Sequence, residues 1–262
     1  MQRSKIIQNL HYLVGSIVLS VWFCLSVQAD DYSNQIEALL DENQSSGTSA
    51  RVPVLLGSGS GFVITRNGHI VTNYHVIDGC NFIGKINDDM NTLRVVAVDD
   101  KLDLAVLKSS ESFTSNLSIS GEEAGLTEDI FVAGFPLGSR LGQSVKVTKG
   151  VISSVIGDND PTRFQFDAAV SGGNSGGPIV RPDGVVVGVT VCGMVGDVQN
   201  INFGIKVQSL ARFLDHFAIP FSSHTVFDEK NIDLALHLTA NTIHIGCFGD
   251  PTDDASSFDE YQ

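Results

Sequence analysis

One serine of this chain lies in a sequence that favours nucleophilic chemistry. Ser175 is the central residue of the run GNSGGP at 173–178, and three glycines with a proline favour a tight loop over a helix or a central strand. Such a loop can turn its backbone N–H groups toward one point beside the hydroxyl, where they would stabilise a developing oxyanion. Runs of this kind also occur in ordinary glycine turns, so the serine alone does not decide the chemistry.

A histidine and an aspartate that could activate this serine precede it in the chain. His75 follows the β-branched run IVTNY, and Asp103 interrupts the apolar run LDLAVL. A histidine side chain, whose ordinary pKa is near 6.5, suits a general base, and an aspartate can hold the imidazole in the required tautomer. Asp99 and Asp100 compete with Asp103 for that second role, but only Asp103 lies within the apolar strand pattern.

The elements that must position these residues are short strands. From residue 52 onward, β-branched runs alternate with Gly, Asn and Asp, and Asn67-Gly68 between two such runs is a strong hairpin signal. Two sets of about six strands predict an all-β fold of two barrels, one with His75 and Asp103 and the other with Ser175. Apolar residues at helical spacing predict a terminal helix over Val207–Ala218.

Six sequence blocks in a fixed order resemble the HtrA/Deg branch of the trypsin-like serine proteases. The blocks are SGSGFVI (58–64), TNYHV (72–76), DLAVL (103–107), GFPLG (134–138), TKGVIS (148–153) and DAAV (167–170). The resemblance covers roughly residues 52–217 and implies the chymotrypsin-like fold, with two six-stranded antiparallel β-barrels and a C-terminal helix. It also implies a His-Asp-Ser endopeptidase that acts on unfolded or damaged protein. Alpha/beta-hydrolases share the motif GxSxG, but their acid and base follow the serine.

The resemblance assigns further roles around the serine. The N–H groups of Gly173 and Ser175 are expected to form the oxyanion hole. Asn174 stands where digestive proteases have an aspartate that pairs with a newly cut N-terminus, so we expect no activation cleavage of that type. The glycine-rich segment Gly134–Gly142 is the candidate mobile loop.

The same resemblance predicts a small, neutral specificity pocket. Ala169, six residues before the serine, is expected at the pocket floor, where no acid would select Lys or Arg. The expected substrate-pairing strand is Val191-Cys192-Gly193, and Asn200–Asn202 is expected to form the far wall. A pocket of this kind favours small aliphatic side chains before the scissile bond.

The two ends of the chain predict export and an acidic extension. Residues 1–29 combine two basic residues, an apolar stretch and small residues before Asp30, which is typical of a secretory signal peptide; an uncleaved anchor is the alternative. We expect a linker at 30–51, the protease domain at 52–217, an acidic and partly disordered extension at 218–262, and a periplasmic or extracellular location. The 45 residues after position 217 are fewer than an ordinary PDZ domain needs, so we do not expect one in this extension.

Charge and composition exclude several classes of partner. The formal net charge is −14, with 18% charged and 42% hydrophobic residues. Without a basic patch, neither a nucleic acid nor a stable membrane partner is expected. No cofactor or metal is expected, since the histidines and cysteines are not clustered. The predicted partners are protein or peptide substrates, and an oligomer is possible.

Three cysteines follow the predicted signal peptide. Cys80 lies five residues after His75, and Cys247 ends a β-like run inside the acidic extension. We hypothesise that these two form a disulfide and leave Cys192 reduced, while three unpaired thiols remain the alternative.

Two other functions remain open at this stage. A binding module or chaperone on a protease fold would have no activated serine. An esterase or acyl transferase would use the same triad on a different substrate.

Overall fold

The computed structural model describes residues 53–86, 91–136, 142–157, 159–191, 200–224 and 233–249. The chain divides into two units after Arg51, and every described residue lies in the second unit. The predicted signal peptide and linker therefore lie outside the described residues, as does the end of the acidic extension. Among the residues described, no helix is long and apolar enough to cross a membrane.

The described part of the chain is built mainly from short strands. The strands are β1 (Val54–Val63), β2 (His69–Thr72), β3 (Phe82–Lys85), β4 (Thr92–Asp99), β5 (Leu104–Lys108), β6 (Ile119–Ser120), β7 (Asp129–Gly134), β8 (Lys146–Ser154), β9 (Arg163–Phe166), β10 (Pro178–Val180), β11 (Val186–Val191), β12 (Asn202–Lys206), β13 (Ser223–His224) and β14 (Thr242–Gly249). The helices are α1 (Val207–His216) and α2 (Leu234–Asn241).

The first barrel is closed and contains six strands in the order β1-β14-β3-β4-β5-β2. The predicted hairpin at Asn67-Gly68 joins β1 to β2, and Gly68 has a φ of 93°, a left-handed conformation that favours glycine. The ladder of this hairpin is short, because β1 pairs with β2 only at Phe62 and Val63.

The sixth strand of this barrel comes from the far end of the chain. Strand β14 inserts between β1 and β3, and its pairing with β1 extends from Val54↔Gly249 to Phe62↔Thr242. The protease domain expected to end at residue 217 therefore leaves out one strand of its own first barrel. The acidic composition of 218–262 suggested an appendage, whereas its β-branched run supplies buried residues such as Ile245 to the barrel interior.

The second barrel carries the serine loop. Strands β7, β8, β9, β12, β11 and β10 follow one another, and pairing between β10 and β11 closes the ring. The short strands β6 and β13 extend the sheet beside β11. The predicted fold class, two six-stranded antiparallel barrels with a C-terminal helix, is confirmed.

The apolar core joins the two barrels. One cluster of buried side chains includes Phe62 and Leu104 from the first barrel, Ala133 and Val180 from the second, and Leu210 from α1. Two further clusters lie within the individual barrels. Because the shared cluster packs the barrels against each other, loops from both can be held in fixed positions at their junction.

Candidate active site

The predicted site residues come from three loops. His75 lies in the turn that follows β2, and Asp103 immediately precedes β5, so the first barrel supplies both. Ser175 lies in the loop between β9 and β10 of the second barrel. The strands fix where each loop begins and ends, while the loop backbones aim the side chains.

The carboxylate of Asp103 binds His75 through both oxygens. The Oδ2 atom lies 2.7 Å from Nδ1 of His75, and the Oδ1 atom accepts the His75 backbone N–H at 2.9 Å. The His75 side chain is 24% exposed and the Asp103 side chain 14%, so both are largely shielded from water. Since an ionised carboxylate only accepts hydrogen bonds, Nδ1 carries the proton and Nε2 is left as the basic nitrogen.

A neighbouring carboxylate that competed for this role is used elsewhere. The Oδ1 atom of Asp99 accepts backbone N–H groups from Lys101 and Leu102, at 3.1 and 3.0 Å. Asp99 therefore caps the turn that leads into Asp103, and Asp103 is the carboxylate that contacts His75.

The backbone of Asp103 has an uncommon conformation that a buried asparagine supports. Its φ is 56°, in the left-handed region that non-glycine residues seldom occupy. The side-chain amide of Asn73, a fully buried residue two positions before His75, donates to the Asp103 carbonyl at 2.8 Å. Sequence reasoning gave Asn73 no role, although a polar residue inside the β-branched run before the histidine was a usable signal.

The serine loop depends on glycine at two positions. Gly173 and Gly176 have φ values of 95° and 82°, which side-chain-bearing residues rarely adopt. Backbone hydrogen bonds fold the loop back on itself, from Asn174 N to the Ser171 carbonyl at 3.0 Å and from Gly177 N to the Asn174 carbonyl at 2.9 Å. The result is a compact turn that holds Ser175 at its centre.

The serine loop packs directly on the strand and turn that carry the histidine. A Cβ atom on Gly176 would lie 2.4 Å from Thr72 Oγ1 and 2.9 Å from Asn73 N, so only glycine fits there. The loop is thereby pressed against the residues just before His75. Ser175 itself is 5% exposed, and its carbonyl accepts the backbone N–H of Ser60 at 2.8 Å.

Two backbone donors of the run 173–177 have no partner in the part of the chain described. These are the N–H groups of Gly173 and Ser175, the pair expected to form the oxyanion hole. Backbone N–H groups in buried loops are almost always paired. Two unpaired donors beside one hydroxyl are therefore available to a ligand oxygen.

The expected specificity pocket is only partly covered by the described residues. Ala169 is exposed, and its carbonyl accepts a hydrogen bond from Thr148 Oγ1 at 2.9 Å. The amide of Asn202 donates to the Ala168 carbonyl at 2.8 Å, which places an uncharged polar side chain next to Ala169. Val191 ends β11, whereas Cys192 and Gly193 lie outside the described residues, as does most of the candidate mobile loop at 134–142.

A disulfide joins the histidine loop to β14, the last strand of the described residues. It links Cys80, five residues after His75, to Cys247 on β14, with a sequence separation of 167 residues. The Cys247 side chain is fully buried. This bond fastens β14 to the part of the first barrel that carries the histidine.

Comparison with known proteins agrees with this geometry. The family model of the trypsin-like peptidase domain matches residues 59–189, half of the chain. The serine protease Do-like HtrA of Bacillus subtilis is 33% identical over 166 residues, which cover 57% of this chain and 36% of that protein. A probable periplasmic serine endoprotease DegP-like of Chlamydia muridarum is 32% identical over 164 residues, or 58% of this chain and 31% of that protein.

Solved structures show the same likeness. A serine endoprotease from Yersinia pestis superposes with a TM-score of 0.52 at 25% identity and covers 61% of this chain and 57% of its own. A protease from M. tuberculosis in its active form gives 0.52 at 26% identity, covering 64% and 76%. The chain spans about a third of the length of the curated relatives named above. The matched residues 59–189 contain both the histidine–aspartate pair and the serine loop, and the chain therefore belongs to the trypsin-like peptidase family, as a chymotrypsin-fold protein related to the HtrA serine proteases.

Proposed function

We propose that this chain is a serine endopeptidase in which Ser175 is the nucleophile, His75 the general base and Asp103 the residue that orients the base. The observation that carries the proposal is the two-point contact between Asp103 and His75, at 2.7 and 2.9 Å. This contact fixes both the tautomer and the ring direction of the histidine, next to a loop built around one serine.

The first half of the reaction forms an acyl-enzyme. Nε2 of His75 takes the proton of the Ser175 hydroxyl while Oγ attacks the scissile carbonyl carbon. The carbonyl oxygen becomes an oxyanion, which the unpaired N–H groups of Gly173 and Ser175 stabilise. One such donor contributes roughly 3 kcal/mol to the transition state. The imidazolium, stabilised by Asp103, then gives its proton to the leaving amine.

The second half of the reaction releases the acyl group. Water enters where the amine left, and His75 takes its proton as the water oxygen attacks the ester carbon. The same two backbone donors stabilise the second oxyanion. The proton returns to Oγ of Ser175 as the bond to the carboxylate product breaks, so the enzyme regains its starting state.

The proposed substrate is an extended, unfolded polypeptide with a small aliphatic residue before the scissile bond. The side chains that bind the carbonyls of residues 168 and 169 support this preference, because Asn202 and Thr148 are both uncharged. A pocket of this kind offers no counter-charge to Lys or Arg. Strand-like pairing with the substrate backbone suits a segment that has lost its own fold.

The proposed location is outside the cytoplasm. The predicted signal peptide, the disulfide between Cys80 and Cys247, and the periplasmic designation of a DegP-like relative all support export. Recovery of secreted protein that begins at Asp30 would support it directly. Recovery of protein that still carries residues 1–29 would contradict cleavage at that position.

A fluorophosphonate probe tests the proposed chemistry, because it labels only an activated serine. The wild-type protein should be labelled, and Ser175→Ala and His75→Ala should not be. Ser171→Ala, a matched change in the same loop, should keep its label. A digest of casein should show the same ranking, and a short ester assayed beside it separates an endopeptidase from an esterase. Failure to label the folded wild-type protein would refute the proposal.

A second experiment tests the pocket. Peptides with Val or Ala before the scissile bond should be cleaved faster than peptides with Lys or Arg. Ala169→Asp should reverse the order, since a carboxylate at the pocket floor would bind a basic side chain. Unchanged specificity in this variant would show that Ala169 does not line the pocket.

A further inference from the structure

Ser60 lies in the first barrel but makes its side-chain hydrogen bonds to the second. It is fully buried in β1. Its hydroxyl donates to the carbonyl of Gly173 at 2.6 Å and accepts the backbone N–H of Phe135 at 2.9 Å. Gly173 belongs to the serine loop, and Phe135 directly follows β7. One side chain from the first barrel thus ties two segments of the second.

The backbone of Ser60 holds the same loop at a second point. Its N–H donates to the carbonyl of Ser175 at 2.8 Å. Its own carbonyl accepts the hydroxyl of Thr72 at 2.7 Å, which anchors the residue to β2. Ser60 therefore contacts the peptide groups on both sides of the nucleophile, 173–174 and 175–176.

These contacts matter because the loop is rich in glycine. Gly173 has a φ of 95° and no side chain to limit its rotation. The peptide plane between Gly173 and Asn174 is held at both ends, by Ser60 at the carbonyl and by the Ser171 carbonyl at the N–H. The Gly173 N–H lies in the preceding peptide plane, and only the φ and ψ rotations of Gly173 separate that plane from this one. A fixed 173–174 plane therefore helps the N–H to keep the direction that an oxyanion requires. Without the Ser60 hydroxyl, this plane keeps only the hydrogen bond from the Asn174 N–H to the Ser171 carbonyl.

The surrounding strand is shaped to bring Ser60 this close. A Cβ atom on Gly59 would lie 2.6 Å from a Val76 methyl group and 3.2 Å from the Ser175 carbonyl oxygen. A Cβ on Gly61 would lie 2.8 Å from the Val71 carbonyl oxygen. The two glycines that flank Ser60 thus let β1 approach both the serine loop and β2 without a side chain between them.

Strand β14 contacts both Ser60 and Phe135 through one residue, His244. Ser60 pairs across the sheet with His244 of β14. The His244 ring stacks on Phe135 with ring centres 4.5 Å apart and planes within 5° of parallel. Phe135, whose backbone N–H donates to the Ser60 hydroxyl, therefore packs against His244, the cross-strand neighbour of Ser60.

We infer that Ser60 is a positioning residue that sets the geometry of the oxyanion hole across the junction of the two barrels. The inference rests on the proposed function. It assigns Ser60 a role in transition-state binding and none in substrate binding, because its hydroxyl is buried against the loop backbone. Removing the hydroxyl should reduce kcat and leave KM nearly unchanged.

The decisive variant is Ser60→Ala, and its matched control is Ser109→Ala. Ser109 is also buried in the first barrel, and its hydroxyl accepts a backbone N–H from Glu111 at 3.0 Å. Both variants lose a buried serine hydroxyl that serves the backbone. We expect kcat to fall about 10- to 100-fold in Ser60→Ala, because loss of one oxyanion donor typically costs a factor of about 10²–10³. We expect Ser109→Ala to stay within twofold of wild type.

A transition-state analogue separates positioning from general loss of stability. A peptidyl trifluoromethyl ketone forms an oxyanion at the enzyme, so its inhibition constant should rise by the same factor as kcat falls in Ser60→Ala. The affinity of an uncleaved peptide, measured with Ser175→Ala and with the Ser60→Ala/Ser175→Ala double variant, should be equal. If Ser60→Ala does not fold, Ser60→Cys, which keeps a weaker donor at the same atom, should show a smaller drop in kcat of at least threefold.

The outcomes distinguish this inference from the proposed function. If wild type reacts with a fluorophosphonate and Ser60→Ala reacts equally fast, the role of Ser60 is refuted and the proposed function stands. An unchanged kcat in Ser60→Cys or a parallel loss in Ser109→Ala would also refute it. If folded wild type does not react with the fluorophosphonate at all, the proposed function and the role of Ser60 are both refuted.

Discussion

Removal of the disulfide between Cys80 and Cys247 is a perturbation of stability whose magnitude can be worked out from the structure. The bond closes a loop of 167 residues, which contains the whole second barrel and strands β3, β4 and β5 of the first. Replacing both cysteines with alanine removes the covalent link but leaves the hydrogen bonds of β14 to its neighbours. The perturbation therefore acts chiefly on the unfolded chain, in which residues 80 and 247 become free to move apart.

The magnitude follows from the loop length. On the chain-entropy relation, a cross-link over this length stabilises the folded state by about 5 kcal/mol, while measured native disulfides usually contribute 2–5 kcal/mol. Folded domains are stable by only about 5–15 kcal/mol in total. For a domain of this size, 1 kcal/mol shifts Tm by roughly 2–4 °C. We expect the double variant to melt roughly 10–20 °C lower than wild type.

The assay is thermal and urea unfolding of the oxidised wild type, the double alanine variant and the Cys192→Ala control. Cys192 lies outside the described residues and has no place in the bond, so its replacement should leave Tm nearly unchanged. Amide hydrogen exchange adds a local readout. Protection of β14 should drop more than that of β8, because β14 is held at its end by the bond itself.

Two results would refute this reasoning. A fall in Tm of less than about 3 °C would mean that the loop is not constrained by the bond. Peptide mapping without reductant that recovers three alkylatable thiols, or a peptide linking Cys80 to Cys192, would mean that the bond is formed differently or not at all.

Three further predictions concern single buried residues. Burial lowers the pKa of His244 to about 4. Between about pH 4 and pH 6.5, its imidazole is therefore protonated in the unfolded chain and neutral in the folded chain. Stability should fall by up to about 3 kcal/mol as pH drops from about 6.5 to about 4, and urea titrations of His244→Phe should lack this fall. Asn73→Ala removes the amide that holds the Asp103 carbonyl, and kcat should drop at least tenfold. In Asn73→Gln, kcat should recover in part only if the longer side-chain amide reaches the same carbonyl. Gly176→Ala should abolish soluble, active protein, because its Cβ would lie 2.2 Å from a backbone oxygen, whereas Gly125→Ala meets only a side-chain atom at 3.8 Å and should behave as wild type in melting and activity assays.

Much of the fold was predictable because its determinants are local. Alternating β-branched runs predict the strands, and the dipeptide Asn67-Gly68 predicts the first hairpin. The 3.6-residue spacing of Val207, Leu210 and Leu214 predicts α1, and these three side chains are buried in the structure. Residue type and order were sufficient to select His75 as the candidate base, since it directly follows a β-branched run and precedes the aspartate and serine, whereas His69 stands before that run.

The remainder depends on contacts between distant residues, which spacing does not encode. Ser60 and Gly173 are 113 residues apart, so no sequence period marks the hydrogen bond between them. The conformation of Asp103 depends on an amide 30 positions earlier. Strand β14 was recognisable as a strand, but its neighbours were not, because sequence order does not state which strands pair.

The placement of β14 indicates that the proposed catalytic site depends on residues near the end of the chain. Strand β1 pairs with β2 only at Phe62 and Val63, whereas β14 pairs with it from Val54 to Phe62. The stretch of β1 around Ser60, which holds the serine loop, therefore has β14 as its sheet neighbour within the described residues. A domain cut after residue 217 would lose the disulfide, the ladder along β1 and the ring of His244 that packs on Phe135. We therefore expect the smallest unit that keeps Ser175 in place to extend to Gly249, because β14 supports β1.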